Sequence, residues 1–153
     1  MKVSIRPLKE TDAFTSYKWR NDPEVFKYTG NVYTEEITLQ SELEWINRVI
    51  LNQDEYRCAI MVDGEYVGNT YLTGIKEGKA WFHIFIGNKD YWGKGIAKVA
   101  SSIMIDYAFN NLNLNAVSLS VHEDNASAIG LYSGLGFQST KKMSNRIIME
   151  ISK

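Results

Sequence analysis

Tyr91-Trp92-Gly93-Lys94-Gly95-Ile96-Ala97 joins two segments of different period, and this junction governs how the rest of the chain is read. Upstream, Ala80-Trp81-Phe82-His83-Ile84-Phe85-Ile86 has the length and the aromatic and β-branched content of a strand. Downstream, Ile96, Val99, Ala100, Ile103, Met104, Tyr107 and Ala108 recur at helical spacing as far as Asn110-Asn111. The loop between them, residues 87–95, is polar and rich in glycine. Gly93 and Gly95 remove the side chains that would hold a ligand off the backbone, while the helix that follows points unpaired N–H groups and its positive dipole end outward. Strand, glycine loop and helix in that order make an anion cradle. The competing reading is a glycine-softened loop that binds nothing.

Two phosphate motifs fail against this stretch. A P-loop needs Ser or Thr directly after Gly-Lys, and Gly95 follows Lys94. The dinucleotide fingerprint needs a third glycine where Lys98 stands, and a parallel strand pair around the loop. The strands before it are expected to be antiparallel instead. Arg57 to Val62 and Glu65 to Leu72 flank Asp63-Gly64, a strong short hairpin signal, and a second turn at residues 76–79 leads into the strand at 80–86.

Further out, Val3-Ser4-Ile5-Arg6-Pro7-Leu8 alternates as a first strand, and Thr11-Asp12 looks like the cap of a helix broken by Asn21-Asp22-Pro23-Glu24. A second short helical piece is expected to hold Val25, Phe26 and Tyr28. Thr34 is read as opening a helix through Leu39, Leu43, Ile46 and Ile50. Beyond the central helix, residues 116–121 read as a strand, and Asn125 begins a helix that ends at residues 134–136. Two closing strands start at Phe137 and Ile147. The order predicts an α/β fold with one mixed, mostly antiparallel sheet and helices on both faces.

Composition narrows the function classes. The chain has 153 residues, which fits a single domain over 1–153. Seventeen Lys and Arg against eighteen Asp and Glu give a net charge of −1, so no basic excess exists to neutralise nucleic acid. With 44% hydrophobic and 23% charged residues the chain can bury a core and is not of disordered composition. Cys58 is the only cysteine, which excludes an intrachain disulfide and a multi-cysteine zinc site. No apolar run reaches the ~18 residues of a membrane span, and the start lacks a signal-peptide core. A soluble, unprocessed, cytoplasmic protein without a membrane or nucleic-acid partner is expected, as a monomer or homodimer.

Residues Trp92 to Ala97 resemble the acetyl-coenzyme A pyrophosphate loop of the GNAT N-acetyltransferases: Gln or Arg, two variable residues, Gly, one variable residue, then Gly or Ala. Gly95 and Ala97 match, and Trp92 stands in the Gln or Arg position. The family's second signature is similar to Val121, Asn125, Ala128-Ile129, Leu131-Tyr132 and Gly136-Phe137, in order. Ile5-Arg6-Pro7 and Trp19-Arg20-Asn21-Asp22-Pro23 resemble the branch of ribosomal-protein alanine and serine N-acetyltransferases. The resemblance covers nearly the whole chain. It implies a sheet that splays after its fourth strand, acetyl-coenzyme A as co-substrate with no metal, and direct transfer to a primary amine in a ternary complex. The acceptor would be a small-molecule amine, such as a polyamine or amino sugar, or a peptide N-terminus.

Roles follow from the same resemblance. The backbone of Gly93, Lys94, Gly95, Ile96 and Ala97, with Trp92 beside them, would take the pyrophosphate, and Phe85, Ile86 and Gly87 would pair with the pantetheine arm as an added strand. Tyr132 sits where the family's general acid sits, and Asn125 where a pantetheine contact sits, although an Asn at a helix start caps by default. Trp81 occupies the position of a Glu base found in some relatives, so His83, on the same strand face, becomes the candidate base. Arg20, Asn21, Glu24 and Tyr33, with Trp45, are candidates for acceptor binding. Cys58 is expected to be an inert core thiol. Two rival readings are a non-catalytic acyl-coenzyme A-binding or regulatory module of the same fold, and a nucleotide-binding domain that uses the same loop.

Overall fold

A computed structural model describes residues 1–27 and 35–153. Seven strands form one sheet: β1 (Val3–Pro7), β2 (Tyr56–Val62), β3 (Glu65–Lys76), β4 (Lys79–Ile86), β5 (Ala116–His122), β6 (Gln138–Met143) and β7 (Arg146–Ser152). Their spatial order is β1-β2-β3-β4-β5-β7-β6. Every neighbouring pair is antiparallel except β4 and β5. The helices are α1 (Ala13–Arg20), α2 (Leu39–Val49), α3 (Ile96–Asn110) and α4 (Ala126–Leu135).

The hairpin at Asp63-Gly64 forms as the sequence predicts, with both residues at positive φ (50° and 86°), the pair of angles that a tight hairpin turn demands. Alternation along β2 then assigns the two faces. Cys58, Ile60 and Val62 point to one side, where Ile60 and Val62 meet Ile96 and Ala100 of α3 and Cys58 joins a cluster with Phe82, Met104, Leu119 and Phe137. Ala59 points to the other, against Leu8, Ala13 and Ile46 from the α1–α2 side. Helices therefore cover both faces. Each fully buried aliphatic side chain in these clusters contributes roughly 1.5–3 kcal/mol of transfer free energy.

The α1–α2 pair is locked by charge as well as by apolar contact. Glu42 is 1% exposed and receives Arg20 at 2.8 Å and the Ser16 hydroxyl at 2.8 Å. Asn21 staples the start of α2: its amide donates to the Tyr17 and Ile37 carbonyls while its oxygen accepts from the Ile37 N–H.

Three local expectations are corrected. Thr11-Asp12 does not cap α1 through its side chain; Asp12 instead takes both ends of the Arg6 guanidinium at 2.7 and 2.9 Å. Helix α2 begins at Leu39 behind Thr38, whose hydroxyl accepts from the Ser41 N–H while the Ser41 hydroxyl accepts from the Thr38 N–H. Thr34 lies outside the described residues. Val25 and Phe26 occupy turns rather than a helix, because Pro23 and the Asx-type bond from the Glu24 N–H to Asp22 bend the chain there; Tyr28 is outside the described residues.

Candidate functional site

The sheet opens between β4 and β5. Pairing there is confined to Lys79–Ala116, Ala80–Val117 and Trp81–Ser118, and both strands run on past it without each other. The opening is one groove of about 1080 Å³, walled by β4, the glycine loop, the start of α3, the second half of β5 and α4.

Register decides which backbone groups face the gap. The Gly87 N–H donates to the Val67 carbonyl at 2.8 Å, and the Thr70 hydroxyl donates to the His83 carbonyl. Since polar groups alternate along an antiparallel ladder, those of His83, Phe85 and Gly87 are spent on β3, and those of Phe82, Ile84 and Ile86 face the gap. The expected edge of Phe85, Ile86 and Gly87 shifts with the register: the gap-facing groups belong to Ile84 and Ile86, and those of Phe85 and Gly87 face β3. Gly87 is glycine for a packing reason, since a Cβ there would stand 2.0 Å from the Trp19 ring. The Ile86 carbonyl accepts the Trp92 indole N–H at 2.8 Å, so Trp92 ties the glycine loop to the strand's end.

At the loop itself Gly93 and Gly95 have φ of 73° and 78°, a region that side chains rarely adopt, and the space beside each is open. The first helical bond of α3 is Val99 N–H to the Gly95 carbonyl, which leaves the amides of Ile96, Ala97 and Lys98 without helical partners. Lys94 and Lys98 also line this end of the groove. A bound diphosphate is what such a set fits: backbone donors, two lysines and room where Cβ atoms would have been.

Tyr132 comes from α4, which starts at Asn125 with its side-chain oxygen accepting from the Ala128 N–H. Asn125 thus caps the helix and lines the groove at the same time. The Tyr132 ring lies edge-on to Phe82 and Phe137, and burial pushes its phenol up to about 12. Among the described residues its hydroxyl has no hydrogen-bond partner.

On the opposite face of β4 stand Trp81, His83 and Phe85. The His83 ring stacks on Tyr71 at 4.6 Å and its Nε2 is 2.9 Å from the Thr73 hydroxyl. Burial, reinforced by Arg57, lowers its pKa to about 4, with Glu55 opposing. Arg57 in turn lies between rings, 4.3 Å from Tyr71 and 4.9 Å from Trp45, and bonds Glu55 at 2.5 Å. Sequence reasoning missed this column, because its members come from α2, β2, β3 and β4 and only the register stacks them.

The acceptor candidates separate. Glu24 borders the groove and shares Lys89 with Asp22. Arg20 and Asn21 do not line it and are corrected to scaffold roles: Arg20 is committed to Glu42 and covers Trp45 at 3.9 Å, and Asn21 to the α2 staple. Tyr33 lies outside the described residues. Sequence reasoning missed Arg146 and Ser120, which wall the gap from the β5 side. Cys58 is fully buried, outside the groove, with its thiol pushed up to about 11 by burial. Among the described residues no helix is long and apolar enough to cross a membrane, and no cluster of His, Cys, Asp and Glu is placed to hold a metal.

The sequence matches the acetyltransferase (GNAT) domain over residues 2–138. It is 34% identical to the spermidine N(1)-acetyltransferase of Escherichia coli K12 over 137 residues, which cover 88% of this chain and 72% of the relative. Identity to the uncharacterised N-acetyltransferase p20 of Bacillus licheniformis is 30%, over 90% of this chain and 79% of that one. Among solved structures, the spermidine N-acetyltransferase of Vibrio cholerae, in complex with CoA and spermine, superposes with a TM-score of 0.87 at 23% identity, covering 98% of this chain and 95% of that one. It shares the fold, including a mixed sheet of this kind. With its family signature matched over most of its length, this chain belongs to the GNAT acetyltransferases.

Proposed function

We propose that the protein transfers the acetyl group of acetyl-coenzyme A directly to a primary amine, of a small molecule or a peptide N-terminus, within a ternary complex. The observation that carries this reading is the gap between β4 and β5, with an anion cradle at one end and a protonated phenol in its wall. The coenzyme supplies an activated thioester. This chain supplies the amides of residues 93–98 for the diphosphate and the gap-facing groups of Ile84 and Ile86 as a strand edge for the pantetheine.

Tyr132 is the proton source for the departing sulfur. Its raised pKa keeps it protonated at neutral pH, so it donates a hydrogen bond to the charge that develops there. His83 is held uncharged and is too weak a base to strip an ammonium outright; its part is to hold a water or the free amine beside the gap, oriented through Thr73. Cys58 is excluded as an acetyl carrier by its burial outside the groove. The amine-acetylating relatives support an amine acceptor without fixing which one.

The test is thiol release from acetyl-coenzyme A across a panel of amines, together with thermal shifts by acetyl-coenzyme A, ATP and NAD. Stabilisation by acetyl-coenzyme A alone, with amine-dependent thiol release, is expected. Stabilisation without release on any amine would leave a coenzyme-binding module, and stabilisation by ATP or NAD instead would leave a nucleotide-binding domain.

A further inference from the structure

We propose that Arg57, which stands outside the groove, is a positioning residue for acetyl transfer: its guanidinium, clamped between Trp45 and Tyr71, backs the Tyr71–His83 pair so that the His83 ring meets the acceptor amine in one orientation. This deepens the acetyl-transfer reading and rests on it.

Register builds the row. Arg57 on β2 pairs with Tyr71 on β3, and Tyr71 pairs with His83 on β4, so the three side chains stand side by side on one face of the sheet. The Tyr71 and His83 rings lie 4.6 Å apart and within 11° of parallel. The guanidinium is 4.3 Å from the Tyr71 ring and 4.9 Å from that of Trp45, which α2 supplies. Tyr71 and His83 line the groove, whereas Trp45, Glu55 and Arg57 do not. The row therefore ends at the groove and is held from behind it.

Arg57 is itself fixed. Its Nε and Nη2 both donate to Glu55 Oε1, at 2.9 and 2.5 Å. Such bonds run in the guanidinium plane and leave its faces to the rings. Neutralised by Glu55, the cation acts as a flat spacer and not as a charge offered to substrate. At the other end of the row His83 Nε2 is 2.9 Å from the Thr73 hydroxyl. Among the described residues the buried side-chain atom without a partner is Ser101 Oγ, so His83 Nδ1, which also lacks one, is not sealed in; it opens on the groove that its side chain lines. One ring nitrogen is thus anchored and the other presented, and a half-turn of the ring would exchange them. Stacking on Tyr71 resists that turn, and Arg57 keeps Tyr71 from retreating. A group that meets substrate acts well only when its neighbours lock its rotamer.

The experiment has two arms, both on the full-length protein. In the first, NMR of the histidine ring nitrogens with coenzyme A bound reads His83, assigned by its absence from His83→Gln. One neutral tautomer is expected in the wild type and averaged ring nitrogens in Arg57→Met. In the second, thiol release from acetyl-coenzyme A is followed with spermidine, alanylalanine and glucosamine. Arg57→Met is expected to lower kcat/KM for the amine by about ten- to a hundredfold while the KM for acetyl-coenzyme A stays near wild type. Arg57→Lys, which returns a cation to the space between the rings, should recover part of that loss, and it carries the same comparison should the Met variant not fold. In a His83→Gln background Arg57→Met should add little, because the ring it positions is gone. A wild-type ring spectrum in Arg57→Met would overturn the proposal. So would a loss that adds in full to that of His83→Gln, or one shared equally by the KM for acetyl-coenzyme A. Absence of thiol release by the wild-type protein with all three amines would instead speak against the acetyl-transfer reading, and the ring spectra would still decide whether Arg57 holds His83.

Discussion

The two halves of the groove are built from different material. At the coenzyme end the chain offers main-chain groups: amides at the start of α3, the gap-facing edge of β4, and glycines whose positive φ lets the loop turn there. At the acceptor end it offers side chains that meet only because strands and helices are in register: Trp45, Arg57, Tyr71 and His83 stacked across α2 to β4, and Arg146 laid on Ser120. A backbone-built site survives wide sequence change because every residue carries the same amide. A side-chain site changes with each substitution, and under the proposed function the choice of amine falls to it.

Substitutions should separate the halves. The largest effect is expected from Tyr132→Phe, which removes the proposed proton source: turnover should fall by about 10²–10⁴-fold. The measured coenzyme A affinity should stay near wild type, and an unchanged rate at saturating substrates would remove Tyr132 from the chemistry. Arg20→Ala leaves Glu42 buried without its cation, so chemical denaturation should show a loss of about 3–5 kcal/mol, the cost of breaking a buried pair. A change in acceptor KM with stability intact would return Arg20 to the binding site. Gly95→Val forces a β-branched residue to φ 78° and should weaken coenzyme A by about ten- to a hundredfold through ~1–3 kcal/mol of strain, leaving the rings of the acceptor half undisturbed.

The smaller effects sharpen the acceptor half. His83 is depressed in the folded protein, so the unfolded chain takes up its proton first as pH falls. Its neutral burial therefore favours folding fully above about pH 6.5, and that advantage is lost progressively down to about pH 4. His83→Gln should flatten this part of the stability profile. Arg57→Met should raise the His83 pKa, read by NMR titration of the ring, while burial still holds it below the ordinary value. Cys58→Ala should keep full turnover and cost only ~1 kcal/mol of stability; loss of activity in a folded variant would contradict direct transfer.

The contrast between the halves also explains what could be read before the fold was known. The period change around residues 87–95, the Asp63-Gly64 turn and the Asn125 cap are local signals, and each stands where it was expected. The start of α2 was misplaced because Thr34 and Thr38 both have capping chemistry, and only the reciprocal bonds with Ser41 select Thr38. Phe85 and Gly87 illustrate a different limit. Their position near the gap was legible, but the direction of their amides depends on which partner β3 presents, and Val67 is twenty residues from Gly87 in sequence. Arg20 and Asn21 read as polar candidates near a broken helix, yet their partners, Glu42 and Ile37, lie beyond the break. The Arg57 column and the Arg146–Ser120 contact have no local signature at all.

In the proposed reaction, amides at the start of α3 grip the diphosphate of acetyl-coenzyme A. Backbone NMR of the labelled protein, titrated with coenzyme A, tests it most directly. Large shifts are expected at the N–H groups of Gly95, Ile96, Ala97 and Lys98, together with Ile84 and Ile86 along the open edge of β4. Saturation with no perturbation at those amides, or with the shifts confined to another part of the surface, would contradict it.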